Sequence, residues 1–275
     1  MTALSTSTAL EQFISEQRQQ QDILLMSHTV LGYPSFQDNY CAIDALAKAG
    51  VELIELQFPF SEAIADGSIL LNANQSAIQA GTTINDCLRF ADEITKQYRQ
   101  TRFIIMTYYN VVYQYGVRQF VQTAANCGIA GMIIPDLPPE EARTYASACN
   151  HQCIATIFLC TPNSSSERLQ QIAESTSGMI YCTARKGVTG HETQFPTQFD
   201  RYIESVRALI QLPIGVGFGI QSQAAISQLK GQVDIAIIGT QAVRLYVEQG
   251  ATALEVFMRN LRNSEAIGSV AKTFK

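Results

Sequence analysis

No stretch of this 275-residue chain gathers several Lys or Arg, and its 19 basic residues are outnumbered by 24 acidic ones. A net charge of −5 argues against a nucleic-acid footprint, because affinity for a phosphate backbone needs a basic surface. No apolar run approaches the roughly 20 residues that a membrane span needs. The opening MTALSTSTALEQF has no basic segment followed by an apolar core, so no signal peptide is expected. No CxxC occurs among the seven Cys (41, 87, 127, 149, 153, 160 and 182), and the three His (28, 151, 191) lie far apart. A disulfide framework and a Cys/His zinc site are both unexpected. Most of the Cys sit within apolar runs, where they behave as small hydrophobes. The resulting expectation is a cytoplasmic protein with no cofactor or metal of its own.

What the sequence does have is alternation. Apolar residues make up 47% of it, enough for a large core, and they fall into short runs separated by amphipathic stretches. Leu10, Phe13 and Ile14 have the spacing of a short capping helix over 10–20. The run DILLMSHTV (22–30) reads as a buried strand that ends at Gly32 and Pro34. Ser35 can cap the next helix, whose inner face is Tyr40, Ile43, Leu46 and Ala47, and Gly50 suits its C′ position. Further strands are expected at 51–58, 102–110, 131–138, 153–160, 178–184, 213–218 and 233–239. Between them fall helices at 73–80, 83–98, 116–126, 139–149, one opened by Ser165 or Ser166, 197–210 and 221–230, with one or two more closing the chain. No hairpin turn joins any two strands, so the succession implies parallel strands with right-handed crossovers. Eight such units in roughly 250 residues match a (β/α)8 TIM barrel, here a single α/β domain over 1–275 with an N-terminal capping helix and extra helices. A doubly wound open sheet is the alternative, because periodicity does not reveal closure.

The stretch IELQFPFSEAIADGS (54–68) places Glu55 inside a strand and Asp66 in the Gly-bounded loop that follows. A carboxylate in a β-run is costly unless it is paired or used. Two carboxylates in different surroundings are the usual equipment for acid–base work. Barrel active sites lie at the C-terminal ends of the strands, where Glu55, Tyr108 with Asn110, Asp136, and Tyr181 with Arg185 fall. Period two puts Leu53, Glu55 and Gln57 on one face; if that face is the lumen, Glu55 points into the mouth. Plainer readings stand beside these. Glu55 can be a strand-end carboxylate paired to a cation, Asp66-Gly67 a turn dipeptide, and Asp136 the cap of a helix starting near Pro138. Tyr108 and Tyr181 either fill the lumen or line an aromatic pocket, Arg185 and Lys186 can be a solvated pair, and the three His give no signal for chemistry. Gly217 and Gly219 end the seventh expected strand, and Gly239-Thr240 ends the eighth at a helix start. Loops after strands seven and eight commonly bind phosphate through backbone N–H groups, and Gly190 can add another. The lack of Lys or Arg there suits backbone coordination.

With these pieces assembled, the chain resembles the alpha subunit of tryptophan synthase over nearly its whole length. IELQFPFSEAIADGS, MTYYN, IIPDLPPEEA, TPNSSSERL, RKGVTG, GVGFGI and AIIGTQAV match in the family's order and spacing. The resemblance implies retro-aldol cleavage of indole-3-glycerol phosphate to indole and glyceraldehyde 3-phosphate. It implies Glu55 as acid and base and Asp66 as the group that hydrogen-bonds the indole N–H. It implies that Tyr181 lies near the glutamate, that Thr189 belongs to a closing loop, and that Gly190, Gly219, Gly239 and Thr240 hold phosphate. The implied partner is a tryptophan synthase beta subunit in an alpha2beta2 assembly, with pyridoxal phosphate (PLP) on that partner only.

The chain also departs from the family's usual pattern. Gln57 stands for a Gly, Glu62 and Ala63 for Asp-Pro, Ser68 for a Pro, and His28 for an apolar pocket residue. These changes are expected to bear on the loop that faces the beta subunit, and His28 on the indole pocket. A catalytically weak alpha-like subunit that activates a beta subunit is the second hypothesis. Another phosphate-binding barrel enzyme is the third.

Overall fold

The structure, a computed structural model, describes residues 8–183, 197–217 and 219–262. Its strands are β1 (Leu24–Val30), β2 (Leu53–Gln57), β3 (Arg102–Met106), β4 (Gly131–Ile133), β5 (Ala155–Ile157), β6 (Leu159–Cys160), β7 (Ile180–Thr183), β8 (Ile214–Gly217) and β9 (Ile235–Ile238). All pair in parallel, in the order β5-β4-β3-β2-β1-β9-β8-β7-β6. The two ends of that order, β5 and β6, are separated in the chain by Phe158 alone. Ile157 and Leu159 face one apolar cluster and Phe158 and Cys160 the other, so the alternation runs unbroken through the gap. The Phe158 carbonyl accepts from Tyr181 N at 3.1 Å. The expected strand 153–160 is thus one strand bonded to β4 by its first half and to β7 by its second, which closes the barrel and removes the open-sheet alternative.

Two apolar layers follow from period two. Ile54, Leu56, Phe103, Ile105, Val216 and Ile238 point outward into the shell of helices. Leu24, Met26, Leu53, Ile104, Met106, Ile133, Ile157, Met179, Ile235 and Ile237 point inward and fill the lumen. Helix α1 (Ala9–Arg18), capped by Thr8 Oγ1 accepting from Glu11 N, adds Leu10, Phe13 and Ile14 to the lumen cluster and plugs the barrel at the N-terminal ends of the strands. Its close approach depends on two glycines. A Cβ on Gly131 would lie 3.2 Å, and one on Gly178 3.1 Å, from Leu10 Cδ2.

The outer helices are α2 (Phe36–Lys48), α3 (Ser68–Gln79), α4 (Ile84–Gln97), α5 (Tyr109–Tyr115), α6 (Val117–Asn126), α7 (Arg143–His151), α8 (Ser166–Ser175), α9 (Thr197–Leu209), α10 (Gln223–Leu229) and α11 (Thr240–Arg262). Ser35 caps α2, Gly50 follows it with φ +78°, and Ser165 caps α8, as their sequence positions lead one to expect. Helix α11 bends at Gly250 and so contains both closing helices. Several boundaries differ from expectation; the fourth strand, for one, ends at Ile133 rather than at 138, and two others bear on the site. The third strand ends at Met106 rather than at 110, because Tyr109 begins α5. Helix α3 starts at Ser68 rather than near 73, directly after the Asp-Gly pair. No described helix is long and apolar enough to cross a membrane.

Candidate active site

Glu55 sits in β2 and points into the lumen with Leu53 below it and Gln57 above. In the parallel register of β1 and β2, His28 lies opposite Glu55, and Val30 opposite Gln57. Glu55 and Asp66 are only 5% and 8% exposed, although they lie eleven positions apart in sequence. Asp66 returns to the strand end because the intervening loop is pinned at three points. Ala65 N donates to Tyr108 Oη at 3.0 Å, Phe60 N donates to Asn74 Oδ1 at 3.0 Å, and the Phe60 ring stacks on Tyr108 with centroids 5.1 Å apart. Asp66 also precedes Gly67, whose carbonyl accepts from Leu71 N at 2.9 Å, so it stands directly before the first turn of α3.

The polar side chains between the two carboxylates form one connected row. His28 Nδ1 is 3.1 Å from Glu55 Oε1, and His28 Nε2 is 2.8 Å from Gln57 Oε1. Gln57 Nε2 donates to Asp66 Oδ2 at 2.5 Å, and Asn74 Nδ2 donates to the same oxygen at 3.3 Å. Gln57 and Asn74 are fully buried, so this row is shielded from water. Burial pulls the His28 imidazole down, but the charge and hydrogen bond of Glu55, helped by Asp66 and Gln57, outweigh it and leave the pKa above the ordinary histidine value. Burial pushes the Asp66 carboxyl above the usual range, reinforced by Glu55 and opposed by Gln57, His28 and Asn74.

His28, which gives no signal for chemistry in the sequence, is in the structure the immediate partner of Glu55. The signal lay in the phase of β1, where Leu24, Met26 and His28 share a face just as Leu53, Glu55 and Gln57 do. The expectation for Gln57 is corrected. It is not part of a partner-facing loop but a lumen residue, and Ala63 likewise is buried, in the lumen cluster beside Tyr108; only Glu62 and Ser68 are exposed. Asn74 carried no sequence signal, being one polar residue in the otherwise apolar inner face of α3.

The other expected residues divide. Tyr181, half-buried on β7, faces the carboxylates from across the lumen; burial first, then the charges of Glu55 and Asp66, push its hydroxyl far above the ordinary tyrosine value. Gly217 makes room for it, since a Cβ there would lie 2.8 Å from Tyr181 Oη. Tyr108 is buried and spends its hydroxyl on the loop. Asp136 does not cap a helix near Pro138; its Oδ1 accepts from Tyr109 N at 2.8 Å and so supports the start of α5, while Asn110 is exposed on α5. At the ends of β8 and β9, Gly219 adopts φ +62°, and the Gly239 carbonyl accepts from Ala242 N at 2.9 Å, which makes Gly239-Thr240 the N-terminus of α11. Arg185, Lys186, Thr189 and Gly190 lie outside the described residues.

A barrel with a buried carboxylate pair at the mouth and a helix N-terminus beside it now has a known counterpart. The family model described as tryptophan synthase alpha chain matches residues 14–271. The tryptophan synthase alpha chain of Syntrophotalea carbinolica is 46% identical over 253 residues, covering 92% of this chain and 100% of that one. The chain belongs to this family. The tryptophan synthase alpha chain of Desulfotalea psychrophila is 45% identical, over 92% and 99% of the two chains. A structure of Mycobacterium tuberculosis tryptophan synthase superposes with a TM-score of 0.87 at 30% identity, over 94% of this chain and 98% of that one. The fold is the TIM barrel of the family, and the activity is that of its lyase, the alpha chain that cleaves indole-3-glycerol phosphate in tryptophan biosynthesis.

Proposed function

We propose that Glu55 and Asp66 carry the cleavage. Glu55 protonates indole C3, drawing on the C2–C3 π pair and leaving positive charge on the ring nitrogen. Asp66 accepts a hydrogen bond from the indole N–H and stabilises that charge. Glu55, now a carboxylate, takes the proton from the C3′ hydroxyl. The C3–C3′ bond breaks, its electron pair restores the indole ring, and C3′ becomes the aldehyde carbon of glyceraldehyde 3-phosphate. One proton leaves Glu55 and one returns, so the carboxyl ends as it began. The observation that carries the reading is the burial of both carboxylates at the barrel mouth in unlike surroundings, since Glu55 meets an imidazole and Asp66 meets two amides.

Gly219 and the N-terminus of α11 at Gly239-Thr240 would hold the substrate phosphate through backbone N–H groups, with Thr189 and Gly190 completing the enclosure. Tyr181 and Tyr108 would bound the indole. The loop after β2 leaves Ile64 74% exposed beside Glu62, an apolar point for a tryptophan synthase beta subunit in an alpha2beta2 assembly. The PLP stays with that partner, because the acid–base sequence above uses none. The chain is proposed to act as one cytoplasmic domain.

Indole released from indole-3-glycerol phosphate by the purified chain, with and without a cognate beta subunit, tests the assignment. A native rate no higher than that of Glu55→Gln would overturn it in favour of a weakly active, beta-activating subunit.

A further inference from the structure

The row of side chains between Glu55 and Asp66 has a direction that can be read from its fixed end. Phe60 N donates to Asn74 Oδ1, and Asn74 Nδ2 donates to the Leu70 carbonyl at 2.8 Å, so the amide of Asn74 has one orientation. Its NH2 end therefore donates to Asp66 Oδ2, which marks that oxygen as an acceptor. Gln57 donates to the same oxygen through Nε2, which leaves Gln57 Oε1 to accept from His28. His28 Nε2 must then carry a hydrogen. At the other side of the ring, Nδ1 and Glu55 Oε1 are 3.1 Å apart, a distance at which two bare acceptors repel. One proton lies between them, either on an imidazolium beside a carboxylate or on a carboxylic acid beside a neutral ring.

We infer that His28 and Gln57 are positioning residues for the acid–base reaction, His28 sharing with Glu55 the proton delivered to indole C3 and Gln57 fixing the ring's tautomer against Asp66. The inference rests on the catalytic reading of Glu55 and Asp66 given above. In it, Glu55 alone touches substrate. While Glu55 gives up its proton to C3, the pair loses one proton, and the C3′ hydroxyl returns it. Between turnovers His28 keeps the pair singly protonated to higher pH than a lone carboxyl would. Other titratable groups that face the pair do not compete for this proton. Asp66 lies on the far side of Gln57, and Tyr181 and Tyr108 hold their protons because burial raises both hydroxyls. Just after β9 a Cβ on Gly239 would lie 3.9 Å from the His28 Cβ, and Tyr33, Asp38 and Tyr246 line a small cavity beside His28, where the Tyr246 hydroxyl donates to Asp38 Oδ1 at 3.0 Å.

Two measurements test this. The first is the pH profile of kcat and KM for indole release between about pH 5 and pH 10, in the native chain, His28→Asn and His28→Phe. The basic limb of kcat should move down by about one pH unit or more in both variants, which is about tenfold in rate on that limb, with a smaller change in KM. Gln57→Leu should move it the same way by less. A basic limb unmoved in His28→Asn, or a loss confined to KM, would reduce His28 to pocket shape and overturn the inference. The second is an imidazole NMR titration of the native chain, whose three His are told apart by the His28→Asn spectrum. His28 should titrate above the free histidine value and fall when Glu55→Gln removes its partner; indifference to that substitution overturns the shared proton. This second readout stands even if the native chain releases no indole, in which case only the catalytic reading fails.

Discussion

Two glutamates three positions apart, one just before β2 and one within it, show what separates a structural carboxylate from a chemical one. Glu52 precedes β2 at the plugged end of the barrel and Glu55 lies nearer the mouth, and both are almost wholly buried. Glu52 Oε1 accepts from Arg262 Nη1 at 2.8 Å, and Oε2 accepts from Arg262 Nη2 and from Leu25 N at 2.9 Å each. Its partner is a guanidinium, a permanent cation that neither takes nor gives a proton at any ordinary pH. Glu55 has a titratable imidazole in place of the guanidinium. The first arrangement anchors the end of α11 to the barrel floor, where Arg262 Nη2 also donates to the Gly50 carbonyl at 2.6 Å. The second leaves a proton free to move.

The sharpest way to press this contrast is to exchange which end is damaged. Glu55→Gln should lower indole release by about a hundredfold or more, because it removes a general acid–base while keeping shape. Asp66→Asn should act similarly, and both should leave the urea midpoint near the native value. Rates within threefold of native in either variant (about 0.7 kcal/mol), measured by steady-state indole release, would erase the functional half of the comparison. Arg262→Met should do the reverse. With Glu52 left buried beside Leu25 N alone, stability should fall by about 3 kcal/mol, read by urea unfolding, while kcat below the transition stays native. A loss of kcat with unchanged stability would show that the floor and the mouth are not separable.

Stability against pH should also separate the mouth of the barrel, with His28 and Asp66, from its floor. His28 has a folded pKa above its unfolded value, so the folded chain binds more protons there than the unfolded one. That contribution is fully present below about pH 6.5 and is lost as pH rises through the folded pKa. Asp66 is also raised, so over the window that begins near pH 4 the folded chain again loses stability as pH rises. The urea midpoint of the native chain should therefore decline on the alkaline side of pH 6.5 more than that of His28→Asn, and Arg262→Met should show the native slope. Parallel curves for native and His28→Asn would remove the linkage.

Much of this was legible in the sequence, for identifiable reasons. Short apolar runs separated by amphipathic stretches marked the strands, and period two set Glu55 on one face of β2 with Leu53 and Gln57, the face that the structure turns to the lumen. The end of β3 was not legible, because Tyr108, Tyr109 and Val111 suit a strand as well as a helix, and the Asp136 carboxylate that supports the α5 start comes from 27 residues away. The start of α3 was obscured because Asp66-Gly67 suits a turn as well as a helix start, so the loop reads on past Ser68. His28 and Gln57 were missed for a different reason. Sequence gives the phase of each strand but not the register between strands, and only the pairing of His28 with Glu55 brings imidazole and carboxylate together.

The smallest expected effect concerns the loop that joins the two carboxylates. Tyr108 is buried, its ring stacks on Phe60, and its hydroxyl takes the Ala65 N–H one residue before Asp66. Tyr108→Phe keeps the ring and the stack and removes only that acceptor. Stability should fall by about 1 kcal/mol, because a partly buried N–H is left without its partner. Amide exchange at Ala65 should quicken more than exchange at Leu53 or Ile54, since the loss is local. If Tyr108 instead served mainly as a wall for the indole, Tyr108→Phe would leave Ala65 exchange and KM alike unchanged, and Tyr108→Ala, which removes the wall, would raise KM. The balance between those two readouts decides whether Tyr108 belongs with Glu52, as a residue that holds the barrel in shape, or with Glu55 at the chemistry.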